Sequence, residues 1–280
     1  MTVAPAFPAA SEIGRRARSE NFDVASLLLG ARLRETLLAV YGFARLVDEL
    51  GDTIDGDRLA ALDEAEAELD RAYAGHPRTE TFRRLAHAIA VADLPREPFV
   101  RLIDANRRDQ VQHEYETFDD LIGYCSLSAN PVGELVLAAF GAATPQRVAW
   151  SDDVCSALQV IEHIQDVRED AHAGRIYLPR EDMARFGVAA DDLTAASAGT
   201  GLRALLAFEC ERAGALLRSG IPLVASLRGR ARLAVAGYVG GGRATLDAIA
   251  AAGYDVLHST PTATRAARVS AVLRLLRGSR

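Results

Sequence analysis

Four aspartates with a repeated spacing are the residues of this sequence best suited to chemistry. Asp48 and Asp52 lie four residues apart in a segment with helical periodicity, and Asp166 and Asp170 repeat that spacing later in the chain. Residues at i and i+4 share one helix face, so each pair brings two like charges together, at a cost of about a few tenths of a kcal/mol. A divalent cation removes this repulsion, and carboxylate oxygens suit Mg²⁺, which substrate phosphates commonly complete. The spacing predicts two acidic Mg²⁺ sites that can face each other across a helical cavity.

The neighbours of each pair support this interpretation. Tyr41 and Arg45 precede Asp48 at helical spacing, and a guanidinium provides a planar fork for phosphate oxygens. Tyr41 and Phe43 offer aromatic surface to a developing carbocation. The second pair follows Gln159 and Glu162, and Glu162, Asp166 and Asp170 form an i, i+4, i+8 series of acids.

Other interpretations of these residues are weaker. A single DxxxD is usually a solvated helix face, but here two copies occur with Tyr, Arg and Gln beside them. Glu169 and His172 form one ExxH, whereas a di-iron carboxylate bundle requires two. Residues 199–204 match GxGxxA, but no strand precedes them, which argues against a nicotinamide site.

The composition and the breaks in the chain favour one all-helical domain. Ala, Leu, Arg and Glu dominate, β-branched runs are scarce, and neither a linker nor a repeat divides the sequence. We expect a flexible N-terminus over residues 1–18, an irregular stretch over Arg175–Gly187 and a hinge at Gly240–Gly242. Predicted helices cover Ser19–Leu50 with a break near Gly30, Arg58–Ala74, Thr79–Ala92, Arg96–Gln112, Thr117–Ser128, Val132–Phe140, Arg147–Glu169, Leu202–Ser219, Pro222–Tyr238, Arg243–Ala252 and Thr264–Leu276.

The charge and the cysteine content indicate which partners and which cellular compartment to expect. The formal net charge is −6, and all 32 basic residues are Arg. Arg exceeds Asp and Glu beyond residue 200, so the C-terminal part is a candidate for binding to an anionic surface. Three scattered cysteines suggest no disulfide framework and no zinc site. We find no secretory signal and no transmembrane anchor, and nucleic acid is not indicated. A cytoplasmic protein is expected, with peripheral contact at the inner membrane face as a further candidate.

Several longer motifs resemble the squalene and phytoene synthase family of prenyl-diphosphate enzymes. The resemblance spans most of the chain, and the second acidic segment followed by GRIYLP is its most specific part. The ENF opening, the SANPV centre and the GYDVL ending are most similar to the hydroxysqualene synthase branch of bacterial hopanoid pathways. The motifs are Ser19–Phe22, YGFARLVDELGD from Tyr41 to Asp52, YCSLSANPVG from Tyr124 to Gly133, ALQVIEHIQDVREDAHAGRIYLP from Ala157 to Pro179, and Leu246–Val256.

The resemblance implies a fold and a set of site residues. The fold would be an all-α isoprenoid-synthase domain over residues 19–280 with a central active-site cavity. Asp48, Asp52, Asp166 and Asp170 would hold Mg²⁺ together with diphosphate, and Arg45 and Tyr41 would act beside them. Residues implied to contact the substrate are Ser19, Phe22, Phe43, Tyr124, Gln159, Glu162, Arg175 and Tyr238.

Two positions depart from the family pattern. The family usually has Asn where this chain has Glu162, and Arg where it has Gln165. Glu162 adds a potential metal ligand and Gln165 removes a cation, so the metal stoichiometry or the substrate set can differ from the typical synthase.

The branch resemblance implies that presqualene diphosphate is converted to hydroxysqualene with Mg²⁺ and without NAD(P)H. A synthase that makes presqualene diphosphate and a reductase would then be partners. The runner-up is head-to-head condensation of two prenyl diphosphates such as farnesyl diphosphate to presqualene diphosphate, squalene or phytoene. A non-catalytic assembly factor is a third alternative, although such relatives are expected to lose the motif carboxylates, and all four are present here.

Overall fold

The computed structural model describes residues 30–278, and all regular elements in that range are helical. Pairing of β type in this range is limited to one isolated parallel bridge between Glu114 and Ile176. The prediction of an all-α fold is confirmed. The helices are α1 Ala31–Asp52, α2 Arg58–Tyr73, α3 Glu80–Ala92, α4 Glu97–Arg108, α5 Phe118–Ser128, α6 Asn130–Ala139, α7 Pro145–Gln165, α8 Val167–His172, α9 Arg180–Phe186, a 3₁₀ helix Ala190–Thr194, α10 Thr200–Ser226, α11 Gly229–Ala251 and α12 Arg265–Gly278.

The chain divides into two compact units. The described part of the first unit comprises residues 30–111 and Pro131–Ala143, and that of the second comprises Gln112–Asn130 and residues 144–278. Helices α1 to α4 belong to the first unit, and α7 to α12 belong to the second. The single domain over residues 19–280 stays a prediction, and the predicted flexible N-terminus lies outside the described residues.

An apolar core in the first unit fixes the face that α1 presents. Phe43, Leu46, Val47 and Leu50 recur at helical spacing and are fully buried against α2, α3 and α4. The ring of Phe43 packs edge-on against two further phenylalanines, with ring centroids 5.9 and 5.0 Å apart. Because this stripe faces the core, the adjoining stripe of α1, which carries the acidic pair, remains accessible.

The glycine triplet does not form the hinge that its composition predicts. Helix α11 continues through Gly240, Gly241 and Gly242. A Cβ atom on Gly240 would lie 2.7 Å from Val272 Cγ2 of α12, and one on Gly242 would lie 2.7 Å from Leu158 Cδ2 of α7. The prediction was wrong because these glycines allow close helix packing, whose stabilisation outweighs their poor helix propensity.

Two other predicted interruptions are also corrected. Helix α10 continues past Pro222, because Leu217, Leu223 and Val224 on either side are buried and hold the helix together despite the missing amide donor. The stretch expected to be irregular contains helix α9, which begins directly after Pro179 and ends at Gly187 with a φ of +65°. Proline restricts the residue before it, so a helix can start immediately after it.

A buried charge cluster ties α9 to α10. Arg212 bridges Asp182 at 2.5 Å and Glu209 at 3.3 Å, and its guanidinium stacks over the rings of Phe118 and Phe208. Burial, with Asp182 as a second acid nearby, raises the pKa of Glu209 to about 8.

Within residues 30–278, one helical stretch, Phe118–Ala139, is long and apolar enough to cross a bilayer by length and composition alone. Within its most apolar window 44% of the residues are buried inside the protein. The stretch consists of α5 and α6, separated at Ala129, and Leu121, Tyr124 and Leu135 are buried in it. This pattern is typical of core helices.

The close contact between α10 and α7 yields a stability prediction. A Cβ atom on Gly220 would lie 2.4 Å from Val154 Cγ2 and 2.8 Å from the carbonyl oxygen of Trp150. We expect Gly220→Ala to lower the melting temperature by about 2–10 °C, because the backbone of α7 has to shift. The control is Gly237→Ala in α11, where the Cβ meets open space and the melting temperature should stay or rise slightly. Equal melting temperatures for the two variants would contradict this packing account.

Candidate active site

The first acidic pair lies at the C-terminal end of α1. Arg45 Nη1 is 3.8 Å from Asp48 Oδ2, so the predicted shared face of these two residues is confirmed. The side chain of Asp48 is 47% exposed, and Tyr41 lies half-buried nearly two turns earlier. Asp52 is the last residue of the helix, and its carbonyl oxygen accepts a hydrogen bond from Arg58. The pair is therefore held on a rigid helix and remains open to a ligand.

Asn106 of α4 positions Asp48, a role that the sequence did not reveal. Its Nδ2 donates to Asp48 Oδ1 at 3.4 Å and to the carbonyl of Leu102 at 3.2 Å. This approach requires Gly51, because a Cβ there would lie 2.2 Å from Asn106 Oδ1. Gln110 donates to the carbonyl of Gly51 at 3.0 Å and closes the contact. The available signal was a glycine between two aspartates and an asparagine on the apolar face of an amphipathic helix, where it follows Phe99 and Ile103 at helical spacing.

The negative charge around Asp48 is only partly balanced by its neighbours. The protein around the half-exposed carboxylate of Asp48 displaces part of its water, and this desolvation raises its pKa to about 6, against the opposing effects of the Asn106 hydrogen bond and the Arg45 charge. Asp52 and Asp109 raise it further by like-charge repulsion. The surroundings thus hold more carboxylate than the single guanidinium balances, which is an environment that fits an additional cation.

The second acidic pair lies at a break between two helices. Helix α7 ends at Gln165, Asp166 has φ −101° and ψ 14°, and α8 then carries Asp170. The continuous series of acids on one helix is therefore corrected, although the amide of Asp170 still donates to the carbonyl of Asp166 at 2.8 Å. The side chain of Gln165, the last residue of α7, donates to the carbonyl of Pro261 at 2.6 Å. The interruption is confined to Asp166, because its amide still donates to the carbonyl of Glu162 at 2.9 Å.

Like charges also crowd around Asp166. Burial raises its pKa to about 6, and Glu162, Asp170 and Glu169 add to the effect, while His163 opposes it. Glu162 lies close enough to influence Asp166, and because it is exposed it is also accessible to a ligand. The second pair resembles the first in its unbalanced negative charge.

His163 connects Gln159 with the second pair. Its Nε2 lies 3.1 Å from Nε2 of Gln159, and its Nδ1 lies 3.6 Å from Asp170 Oδ2. Nδ1 of the imidazole therefore faces the carboxylate of Asp170. The ring of Tyr177 stacks on His163 with a centroid distance of 3.6 Å and an interplanar angle of 11°. The imidazole is thus fixed in one orientation towards the carboxylate.

An aromatic cluster surrounds this histidine. Tyr124, which was predicted to contact the substrate, is buried, and its ring lies 6.3 Å from that of His163 and 5.7 Å from that of Tyr177. Tyr115 lies 5.4 Å from Tyr124 and 5.7 Å from Tyr177. Tyr115 and His163 were not predicted as site residues, and no spacing rule would have identified them.

The remaining predicted site residues have different positions. Arg175 follows Gly174, which has a φ of +77°, and its amide donates to the carbonyl of Asp170 at 2.9 Å. Tyr238 of α11 is half-buried, and burial raises its pKa. Ser19 and Phe22 lie outside the described residues.

Phe43 requires a correction. Its ring is completely buried and packs against Phe82 and Phe99 in the core of the first unit. It cannot offer a face to a substrate because no surface of it is accessible. Its role in this structure is to orient the helix that carries Arg45 and Asp48.

The carboxylate oxygens of the two acidic pairs fit a hard cation for which the protein would supply only some of the ligands. Within residues 30–278 no group of three His, Cys, Asp or Glu side chains is arranged to hold a metal ion. Each acidic pair offers carboxylate oxygens and an uncompensated negative charge. Mg²⁺ commonly binds through one or two carboxylates, and waters and substrate phosphates complete its coordination. Both pairs fit such an ion.

Comparisons with known proteins agree with this fold and these motifs. The family model described as Squalene/phytoene synthase matches residues 15–270. A hydroxysqualene synthase from Rhodopseudomonas palustris is 36% identical over 225 residues, which cover 78% of this chain and 76% of the relative. A 15-cis-phytoene synthase from Synechococcus elongatus is 32% identical over 212 residues, covering 70% of this chain and 68% of the relative.

Two solved structures are similar over most of the chain. The crystal structure of squalene synthase HpnC from Alicyclobacillus acidocaldarius has a TM-score of 0.82 at 46% identity and covers 88% of this chain and 94% of its own. A dehydrosqualene synthase in complex with ligand has a TM-score of 0.85 at 25% identity and covers 96% and 95%. The all-helical fold is therefore that of an isoprenoid synthase. Within that class the chain belongs to the squalene/phytoene synthase family, which uses prenyl diphosphates and is generally metal-dependent, and the prediction of an enzyme of this family is confirmed.

The contact between Gly51 and Asn106 can be tested directly. We expect Gly51→Ala to lower the free energy of unfolding by about 1–3 kcal/mol, because the new Cβ displaces a buried, hydrogen-bonded side chain. Urea denaturation measures this change. Gly123→Ala in α5, where a Cβ meets nothing within 4 Å, is the matched control and should lose no stability. Equal free energies of unfolding for Gly51→Ala and Gly123→Ala would contradict the role of the close contact between Gly51 and Asn106.

Proposed function

We propose that this protein converts presqualene diphosphate to hydroxysqualene. In this reaction the carbon–oxygen bond to diphosphate breaks, water adds its oxygen to the carbocation, and a proton and diphosphate are released. The observation that carries the proposal is the combination of two intact acidic pairs with relatives named hydroxysqualene synthase at 35–36% identity. The reaction involves no redox change, so no NAD(P)H is expected.

The acidic pairs and Arg45 would handle the diphosphate. Asp48, Asp52, Asp166 and Asp170 would hold Mg²⁺, which when bound neutralises charge on the leaving diphosphate. Arg45 is half-buried and only 3.8 Å from Asp48, so its guanidinium is placed to donate to diphosphate oxygens beside that carboxylate. The Asn106 and His163 contacts hold the carboxylates in place before the substrate binds.

The aromatic cluster would limit the access of water beside the second pair. Tyr115, Tyr124 and Tyr177 are buried together with His163, which faces Asp170. Unlike Phe43, Tyr124 and Tyr177 keep a small accessible surface, 6% and 8% exposed, so a carbocation formed beside them would meet aromatic surface, which stabilises positive charge without providing a nucleophile. Tyr238 and Arg175 are proposed to contact the substrate as the family resemblance implies.

A second candidate is head-to-head condensation of two prenyl diphosphates. The observation that favours it is the similarity to phytoene synthases at 32–33% identity and to the dehydrosqualene synthase structure. The two reactions share the diphosphate ionisation and differ in the substrate and in the fate of the cation. Under the first proposal, a synthase must supply presqualene diphosphate and a reductase must consume hydroxysqualene, and we propose a cytoplasmic location for this step.

Product analysis decides between the two reactions. The purified protein is incubated with Mg²⁺ and presqualene diphosphate or, separately, farnesyl diphosphate, and the lipid extract is analysed by mass spectrometry. We expect hydroxysqualene from presqualene diphosphate and no product from farnesyl diphosphate. Asp48→Asn and Asp166→Asn should each lower turnover at least about a hundredfold, because charge on the leaving group is no longer balanced. Asp119→Asn, on the exposed first turn of α5, is the control.

Product from farnesyl diphosphate would establish the condensing alternative instead. Full activity of Asp48→Asn or Asp166→Asn in folded protein would contradict the assignment of both acidic pairs. Circular dichroism and melting temperatures of the variants show whether a loss of turnover reflects a loss of folding.

His163 yields a separate prediction about positioning. His163→Phe keeps an aromatic ring for stacking on Tyr177 but removes both nitrogens. We expect the Mg²⁺ concentration at half-maximal activity to rise about 10–100-fold, because Asp170 loses the group that orients it. The melting temperature should change little, and Phe186→Leu, a ring substitution away from the acidic pairs, should leave the Mg²⁺ requirement unchanged. An unaltered Mg²⁺ dependence in His163→Phe would show that the imidazole only packs.

A further inference from the structure

Helix α12 carries an unusual exposed stripe. Arg265, Val269, Leu273 and Arg277 follow one another at intervals of four residues and therefore lie along one side of the helix. Val269 is 59% exposed and Leu273 is 45% exposed. Together with Arg274, these side chains line a shallow surface groove. We call these five residues the basic–apolar face.

The opposite side of α12 anchors the helix to the second unit. Ala271 and Leu275 are buried, and Val272 packs against Gly240 of α11 at a distance that excludes any side chain there. Arg232 of α11 donates to the carbonyl of Leu276 at 3.2 Å. Because packing uses this other side, the exposed valine and leucine contribute nothing to the core of the unit.

The C-terminal segment that includes this helix carries an excess of positive charge. Residues 228–278 contain eight Arg, and Asp247 and Asp255 are their only acids. Asp255 is engaged with Arg203 at 2.6 Å, and α12 itself contains no acid. Among the described residues, the arginines of the basic–apolar face have no carboxylate partner, and Arg274 donates only to Ser270.

We propose that the basic–apolar face docks on an anionic lipid surface. A solvated helix face would not place Val269 and Leu273 in a row, and a packed protein face would not surround them with unpaired guanidinium groups. A lipid interface accommodates both, because the apolar side chains enter the acyl boundary while the arginines contact anionic headgroups. The long arginine side chains can reach the headgroups while the helix axis lies parallel to the surface.

The test measures vesicle binding without any substrate, so its outcome is independent of the reaction assigned above. The full chain is floated with vesicles of phosphatidylcholine or of phosphatidylcholine with about 30% phosphatidylglycerol. We expect binding to the anionic vesicles only, and we expect it to weaken as salt rises, since the headgroup attraction is screened.

Two pairs of variants separate the charge and apolar contributions. The double variant Arg274→Gln with Arg277→Gln should lower the partition coefficient on anionic vesicles about 30-fold, because each arginine near an anionic surface contributes about fivefold. Val269→Ser with Leu273→Ser should lower it about tenfold. The matched controls are Arg83→Gln with Arg84→Gln on the exposed side of α3, and Leu59→Ser with Val111→Ser, which are exposed apolar residues elsewhere. Neither control should change the partition coefficient.

Three results would overturn the proposal. The first is absence of binding to the anionic vesicles. The second is a partition coefficient that is unchanged in the α12 variants, or that falls equally in the control variants. Either result would place the lipid contact elsewhere. The third is a dimer in light scattering that Val269→Ser with Leu273→Ser dissociates, because the face would then be covered by a second copy of the chain.

Discussion

Repulsion among carboxylates is the constraint on which the candidate site depends. Asp48 is crowded by Asp52 and Asp109, and Asp166 by Glu162 and Asp170, in places where burial already disfavours the charged form. A fold under selection for stability alone would separate these acids or pair each with an arginine, and arginine is abundant in this chain. Arg45 offsets only part of the charge at Asp48, and the other side chains beside the two pairs are Asn106 in one unit and His163 in the other. The unbalanced charge is the feature that a bound cation and a diphosphate would complete.

The positions of these groups depend on close backbone contacts. Gly51 permits Asn106 to reach the end of α1, and Gly220 brings α10 against the backbone of α7, the helix that carries Gln159 and His163. In the same way, Gly240 brings α12 against α11 and leaves the outer side of α12 free. Each contact replaces side-chain volume by backbone proximity, so a single methyl group at these positions disturbs a much larger arrangement.

Gln165 and Glu162 differ in their structural roles beside the second pair. Gln165 donates to the carbonyl of Pro261 and adds no positive charge. Glu162 is exposed and adds to the negative charge near Asp166. The second pair therefore keeps an excess of negative charge. The basic–apolar face of α12 concerns a separate requirement, which is the access of a protein with an apolar substrate to a lipid surface.

The sequence by itself determined the all-helical class, the family and the two acidic pairs, because periodicity and short motifs are local properties that survive without knowledge of packing. It also placed Arg45 beside Asp48, since a spacing of three residues decides that contact within one helix. Tertiary structure alone decided that Phe43 belongs to a core, that α10 and α11 continue through Pro222 and the glycine triplet, and that α7 breaks at Asp166. It also decided that Asn106 lies 3.4 Å from a carboxylate oxygen of Asp48 and His163 3.6 Å from one of Asp170. These outcomes rest on contacts between residues distant in sequence, where burial and close approach outweigh the local propensities that a sequence pattern records.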